Sequence, residues 1–376
     1  MTINSNREFL LLVEATMCNP NGDIDRENRP RIDPVTERIL VSDVRAKRDI
    51  RDFLKNYEFP IFVDLEGGEA VTASEKILKA FLKHGENYIS DEAKKTLQEK
   101  FAAENEITSL QRLVNFVKSD ERDAGRTSAA RRVLEEFAKK YFYDVKLFGA
   151  TITVKQANSQ ITGPIQLHWG QSLHPVDLVE SRAISTSFKG KDEDRAFSIG
   201  RKYQVYYALY AHYGYISSSN AKSTELNEED VENFRKSLVQ GIMNHATGTK
   251  LGRLPLVYLE IEYKLEYNGS LGNLLRFIEV ETDGRPRTYR DIKKINFAPL
   301  RNVLQKVKPN VKKVLWWEHA VFSEAYGEKV CGLDVLEKET VDLLASLTPS
   351  KGSGEVGKGV SDQPMRNDGS LSQEEL

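Results

Sequence analysis

The apolar run Phe9-Leu10-Leu11-Leu12-Val13 is the length of a buried strand, read here over residues 7–15. It stops at a polar turn, Asn19-Pro20-Asn21-Gly22-Asp23, where Asn and Gly tolerate positive φ and Pro presets its own. Ser42 and Asp43 then cap a helix over 42–55, with Val44, Ile50, Phe53 and Leu54 as its apolar stripe. The opposite side carries Lys47, Arg51 and Lys55 at i, i+4 and i+8, with Arg45 and Arg48 beside them. Arg51 and Lys55 read as a solvated face, whereas Arg45 and Lys47 sit in the first turns. A strand running into a polar turn, arginines and a helix start gathers backbone N–H groups and cations where a phosphate-sized anion could bind.

From about 72 to 141 the period is helical throughout. Its four apolar groups centre on Ile77 to Leu82, Leu97 with Phe101, Ile107 to Val117, and Ala130 to Tyr141 after the breaker Gly125. Such a block between strands reads as an insertion into a sheet domain. Strand signals return at Val145-Lys146-Leu147-Phe148, at Ile161 to Trp169 and over 203–216. A helix follows at 227–245. Residues 257–265 alternate cleanly, which predicts one buried face and one wet face bearing Glu260 and Glu262. An Asn268-Gly269 turn then leads into Leu274 to Val280 as a hairpin. The order strand, helix, insertion, two strands, helix, strand is βαββαβ, which predicts an α+β chain with a ferredoxin-like (RRM-like) sheet. Past Pro349 the composition turns to Gly, Ser and acidic residues, so 349–376 is expected to be a disordered tail.

The chain has 376 residues, room for one large or two ordinary domains. Two cysteines, Cys18 and Cys331, offer neither metal spacing nor a disulfide framework, which suits a reducing cytoplasm. There is no signal pattern and no membrane-length apolar run, so a soluble cytoplasmic protein is expected. A net charge of −2 argues against a simple nucleic-acid binder. Residues 26–55 nevertheless carry nine Lys or Arg against six Asp or Glu, a local basic track.

Several residues could carry chemistry. Asp23, Asp25 and Asp33 are close enough in sequence for Mg²⁺ or Mn²⁺ and phosphodiester cleavage. Alternatively Asp23 caps its own turn while Asp25 and Asp33 pair with Arg26, Arg29 or Arg31. The six histidines are scattered and match no zinc pattern. Thr247 to Gly252 lacks the phosphate-loop spacing and reads as a helix cap and connector. The long polar segment from Ser172 to Arg201 holds Arg182, Ile184 and Phe188, a phosphate-seeking cation beside groups able to wedge between bases. Disorder is its other reading. Tyrosines 203, 206, 207, 210, 213 and 215 either stack on bases or belong to the core.

Five stretches recur in this order in one known family: Asn19 to Asp23, Arg31-Ile32-Asp33-Pro34, Val41 to Arg48 with Ile50-Arg51, Asp144 to Gly149, and Thr162 to Gln166. The chain thereby resembles, over residues 7 to about 280, the Cas7 backbone subunit of type I CRISPR Cascade complexes (types I-B and I-C, RAMP superfamily). The resemblance implies an RRM-like palm (1–71, 142–171 and much of 202–348), a helical fingers insertion (72–141) and a thumb (172–201). It also implies copies polymerised head to tail along a CRISPR RNA, with a target DNA strand pairing to the guide. Other Cascade subunits and a recruited helicase-nuclease would be partners. The subunit itself would be non-catalytic and cofactor-free. RNA contacts would fall on Asn19, Asn21, Gly22, Arg29, Arg31, Ser42, Arg45, Lys47 and Arg48, with Gln166 and His168 near the same track and Arg182, Ile184 and Phe188 in the thumb. Relatives in type III complexes cut RNA with a loop aspartate, which keeps a metal-dependent ribonuclease using Asp23 or Asp33 as the alternative.

Overall fold

The computed structural model describes residues 1–103, 107–179, 183–186, 198–333 and 337–348. Strand β1 (Arg7–Cys18) is followed by a small ribbon, β2 (Gly22–Asp23) with β3 (Arg29–Pro30), then β4 (Leu40–Val41) and helix α1 (Asp43–Lys55). Four helices follow, α2 (Ala73–Tyr88), α3 (Asp91–Lys100), α4 (Ser109–Lys118) and α5 (Ala124–Tyr141). Thr72, Ser90, Thr108 and Asp123 cap them, each accepting from the backbone N–H three residues on. They enclose a core of their own around Ile77, Phe81, Leu113, Val133 and Phe137.

Next come α6 (Tyr143–Phe148), the paired β5 (Gly149–Ile152) and β6 (Ser159–Thr162), then β7 (Ile165–Leu167), β8 (Gly170–Ser172) and β9 (Leu178–Val179). Strands β10 (Ala183–Thr186) and β11 (Ser198–Arg201) form an antiparallel pair. Strand β12 (Gln204–Ile216), α7 (Ser218–Thr224), α8 (Glu228–Asn244) and β13 (Arg253–Tyr263) complete the central layer. The remainder is β14 (Glu279–Thr282), β15 (Ile292–Asn296), α9 (Ala298–Val307), β16 (Val311–Glu318), α10 (Ala320–Tyr326), β17 (Val330–Cys331) and β18 (Glu339–Thr340).

The main sheet runs β18-β16-β13-β1-β12-β8-β4, with β7 and β9 also pairing β12. Strand β1 is central and antiparallel to both β12 and β13. Both its faces are buried. Phe9, Leu11 and Val13 face α1 and α8, while Leu10 and Leu12 face a layer built from Leu274, Ile295, Phe297 and Tyr326.

That second layer corrects two expectations. The turn at 268–269 leads to a short 3-10 helix (Leu274–Phe277), and β14 pairs with β15 rather than with β13. The chain is turned across the sheet because the Glu8 carboxylate accepts from the N–H groups of Leu271 (2.7 Å) and Gly272 (2.8 Å). Nor does β13 have a wet face. Glu260 and Glu262 are buried, satisfied by Arg235 from α8 (2.8 Å to Glu260) and by Ser5 (2.8 Å) and Lys312 (2.7 Å) on Glu262. The stretch 145–148 is helix α6, not a strand. Val145 packs into the helical core and Leu147 and Phe148 into the main one, so a run of four residues was too short to show its period.

Candidate nucleic-acid interface

The turn after β1 is built largely from its own side chains. Asn19 donates to the Asn28 carbonyl (2.7 Å), and the Arg31 N–H to that of Asn21 (3.0 Å). Glu27 and Asn28 take left-handed backbone conformations (φ 53° and 60°) to close the ribbon. Gly22 lies so close to the Asn28 side chain that a Cβ would collide with it. Asn21 Oδ1 accepts from Ser42 Oγ (3.0 Å), and Ser42 Oγ accepts from the Arg45 N–H (3.2 Å), its expected capping bond. The turn is thus fastened to the N-terminus of α1. Asn19 and Asn21 are buried, so the stretch offers a ligand the backbone and cations around them.

Those cations are paired. Arg45 bonds Asp49, Lys47 bonds Asp43 (2.9 Å), and Arg48 bonds Asp52 and Asp64 (2.9 Å to the latter). Arg31 bonds Asp23 at 3.1 Å, and Arg29 lies over the Tyr203 ring at 4.7 Å. Arg51 is not solvated. It is buried with its Nε 2.8 Å from Asp144, and Lys55 pairs with Asp64 at 2.5 Å. Val44, expected in the apolar stripe, is exposed, and Ala46 is buried instead.

Sequence reasoning missed the connector after α8. Thr249 O accepts from the Asn19 N–H (2.8 Å), and Lys250 Nζ donates to Asn19 O at 2.6 Å and Pro20 O at 3.3 Å. Burial, with Arg253 and Arg45 nearby, pushes the Lys250 amine down to about 8. Beneath it Asp49 receives both Arg253 Nη1 (2.6 Å) and Nη2 (3.1 Å). Burial raises the Asp49 pKa, but Arg253, with Arg45 beside it, outweighs this and holds it below the usual carboxylate range. The only sequence signal was a lysine in a Gly-Thr connector.

The loop aspartates exchange their expected duties. Asp23 takes the arginine, while Asp33 caps its own turn by accepting from Val35 N (3.3 Å) and Thr36 N (3.2 Å). The hydroxyl bond from Thr36 is the first cause of Asp33's lowered pKa. Among the described residues no three His, Cys, Asp or Glu side chains are gathered as a metal site would need. Tyr207 and Tyr210 are fully buried and Tyr203 nearly so, which places them in the core.

Strand β8 pairs with β4, Gly170 opposite Val41, and so brings the β7–β8 corner to the start of α1. Gln166 and His168 are exposed at that corner, Gln166 bonding Gly163 O at 2.9 Å. Arg182 and Phe188 lie outside the described residues. Ile184 is in β10, of whose side chains nothing is described.

The model of the family described as CRISPR-associated protein Cas7 matches residues 5–298. The chain belongs to the Cas7 family. A curated Cas7 of Haloferax volcanii is 26% identical over 318 residues, spanning 83% of this chain and 86% of that one. A solved chain titled "CRISPR RNA-guided surveillance complex, pre-nicking" superposes with a TM-score of 0.52 at 13% identity. It covers 90% of this chain and 97% of its own, a likeness of fold. The family match takes in the turn, α1, the helical block and β13. It ends at the first residue of α9, so β16 and α10 lie beyond it. No helix among the described residues of this Cas7-family chain is long and apolar enough to cross a membrane.

Proposed function

We propose that the chain is a non-catalytic, guide-RNA-binding backbone subunit of a type I Cascade complex. Copies would polymerise head to tail along a CRISPR RNA in the cytoplasm and present its bases to a target DNA strand. The observation that carries this reading is the joint between the Asn19–Asp23 turn and the N-terminus of α1, in a chain of the Cas7 family. First-turn N–H groups with Arg45 and Lys47 beside them suit a backbone phosphate. In this reading the sheet with α1 and α8 is the RRM-like palm, 72–141 the fingers and 172–201 the thumb. Other Cascade subunits and a helicase-nuclease complete its partners. A net charge of −2 is tolerable because each copy gains affinity from its neighbours as well as from its own cations.

The test is co-expression with the operon partners, followed by sequencing of the nucleic acid that co-purifies. Discrete RNAs with a repeat-derived end are expected. Arg45→Ala with Lys47→Ala should lower RNA retention and shorten the assemblies. Random fragments in the wild type, or unchanged retention in the double variant, would refute the reading or those roles respectively.

A further inference from the structure

We infer that Trp169 is a base-stacking residue of this interface, a step that rests on the RNA-binding reading above. Of the three tryptophans, Trp316 and Trp317 are 1% and 5% exposed, whereas Trp169 is 42% exposed. Its position is what makes the exposure informative. Val41 of β4 pairs with Gly170 of β8, and one residue beyond that pair on each strand stand Ser42 and Trp169. Trp169 therefore stands across from the capped end of α1, where Ser42 holds the Asn19–Asp23 turn and the ion-paired Arg45 and Lys47 lie in the first turns. The exposed Val44 adds an apolar neighbour in the same turn of the helix.

The backbone that carries Trp169 is braced. The His168 N–H donates to Tyr213 O (2.8 Å), His168 Nδ1 lies 3.0 Å from Trp169 O, and His212 Nδ1 lies 3.3 Å from His168 O. Gly170 packs so closely on the buried His212 ring that a Cβ would clash with it. A large exposed aromatic on a rigid corner, beside cations and helix N–H groups, combines the two elements of single-strand recognition. Phosphates are held electrostatically, and a base lies on a π-face. The buried tyrosines of the sheet cannot supply that face.

Because Trp169 is the exposed tryptophan, intrinsic fluorescence reads it directly. Purified full-length chain would be titrated with single-stranded oligouridine and with an abasic ribose-phosphate oligomer of equal length. Oligouridine should quench the emission and the abasic oligomer should not. Trp169→Ala should weaken oligouridine binding by roughly 5- to 150-fold, while Trp169→Phe retains most of it. Thermal melting of Trp169→Ala must match the wild type for the loss to count. Unchanged emission and affinity, with RNA still bound, would overturn the stacking role and leave the RNA-binding reading standing. Equal quenching by the abasic oligomer, or on self-association without RNA, would place the indole between copies and overturn it too. No binding of either oligomer by the chain or its assembled complex would remove the RNA-binding reading and this inference with it.

Discussion

Replacing Asp144 by Asn should destabilise the chain by about 3–5 kcal/mol, the usual cost of stripping one partner from a buried ion pair. Asp144 opens α6 and is 1% exposed. One oxygen accepts from Arg51 Nε at 2.8 Å and from the Val63 N–H at 3.1 Å, and the other from the Phe62 N–H at 2.7 Å. An Asn of the same shape keeps one acceptor but turns an NH2 toward donors, and leaves the buried Arg51 guanidinium without its carboxylate. Against a total stability on the order of 5–15 kcal/mol, the loss is large. Arg51→Met alone should cost a similar amount. The double variant removes both charges, so it should cost at least about 2 kcal/mol less than the sum of the singles. Urea unfolding followed by far-UV circular dichroism measures all three. Limited proteolysis should also open the segment around Phe62 and Val63, which leads into the helical block. A cost below about 1 kcal/mol for Asp144→Asn, or simple additivity, would refute the view of Asp144 as the pin between α1 and that block.

Three further outcomes are expected. Gly163 and Gly149 pack backbone to backbone, so Gly163→Ala should cost roughly 1–3 kcal/mol or more in a thermal melt. Gly248→Ala, with open space around it, should be near neutral. Burial pushes His174 and His212 down to about 4. The unfolded chain therefore takes up protons first, and stability should fall as pH drops from about 6.5 toward 4. Each histidine contributes at most about 3 kcal/mol, and His212→Gln should flatten that slope in urea midpoints measured across the range. A chain ending at 348 should assemble like the full chain, while one ending at 340 should lose stability. It would lack buried Leu343 and Leu347 and the bonds from Gln240 to Leu343 O (2.8 Å) and between Asn233 and Thr348 (2.9 Å), and size-exclusion profiles with melting curves would separate the two.

The long elements were legible because their period was unambiguous: β1, α1, the four-helix block, β12, α8 and β13 all stand where apolar spacing places them. Errors came where a second layer changed what burial means. Glu260 and Glu262 read as solvent-facing because alternation cannot announce that Arg235 and Arg7 wait on the other side. The run Val145 to Phe148 was ambiguous in kind, since every apolar residue in it is buried. In the candidate interface the turn and the helix cap were readable locally. The Lys250 clamp and the Asp144 anchor were not, because their partners lie 231 and 93 residues away in sequence.

The same partners resolve the tension between a basic track and a net charge of −2. Each of the five cations of α1 has a carboxylate, but the pairs are not equivalent. Arg51 is buried against Asp144, so turning it toward a phosphate would strand an acid, whereas Arg48 serves a partly exposed Asp52 and an Asp64 that Lys55 also holds. Lys47 is tied to Asp43 by an i,i+4 pair in which both side chains are largely covered. Arg45 shares Asp49 with Arg253, whose two-pronged bond neutralises that carboxylate when Arg45 leaves. Arg45 is therefore the cation of α1 whose buried carboxylate keeps a guanidinium when it turns away, while Arg51 is held to the scaffold. The acidic residues set which basic residues are available. Sequence position set Arg45 and Lys47 apart from Arg51 and Lys55, but it did not show that Arg51 is buried on Asp144.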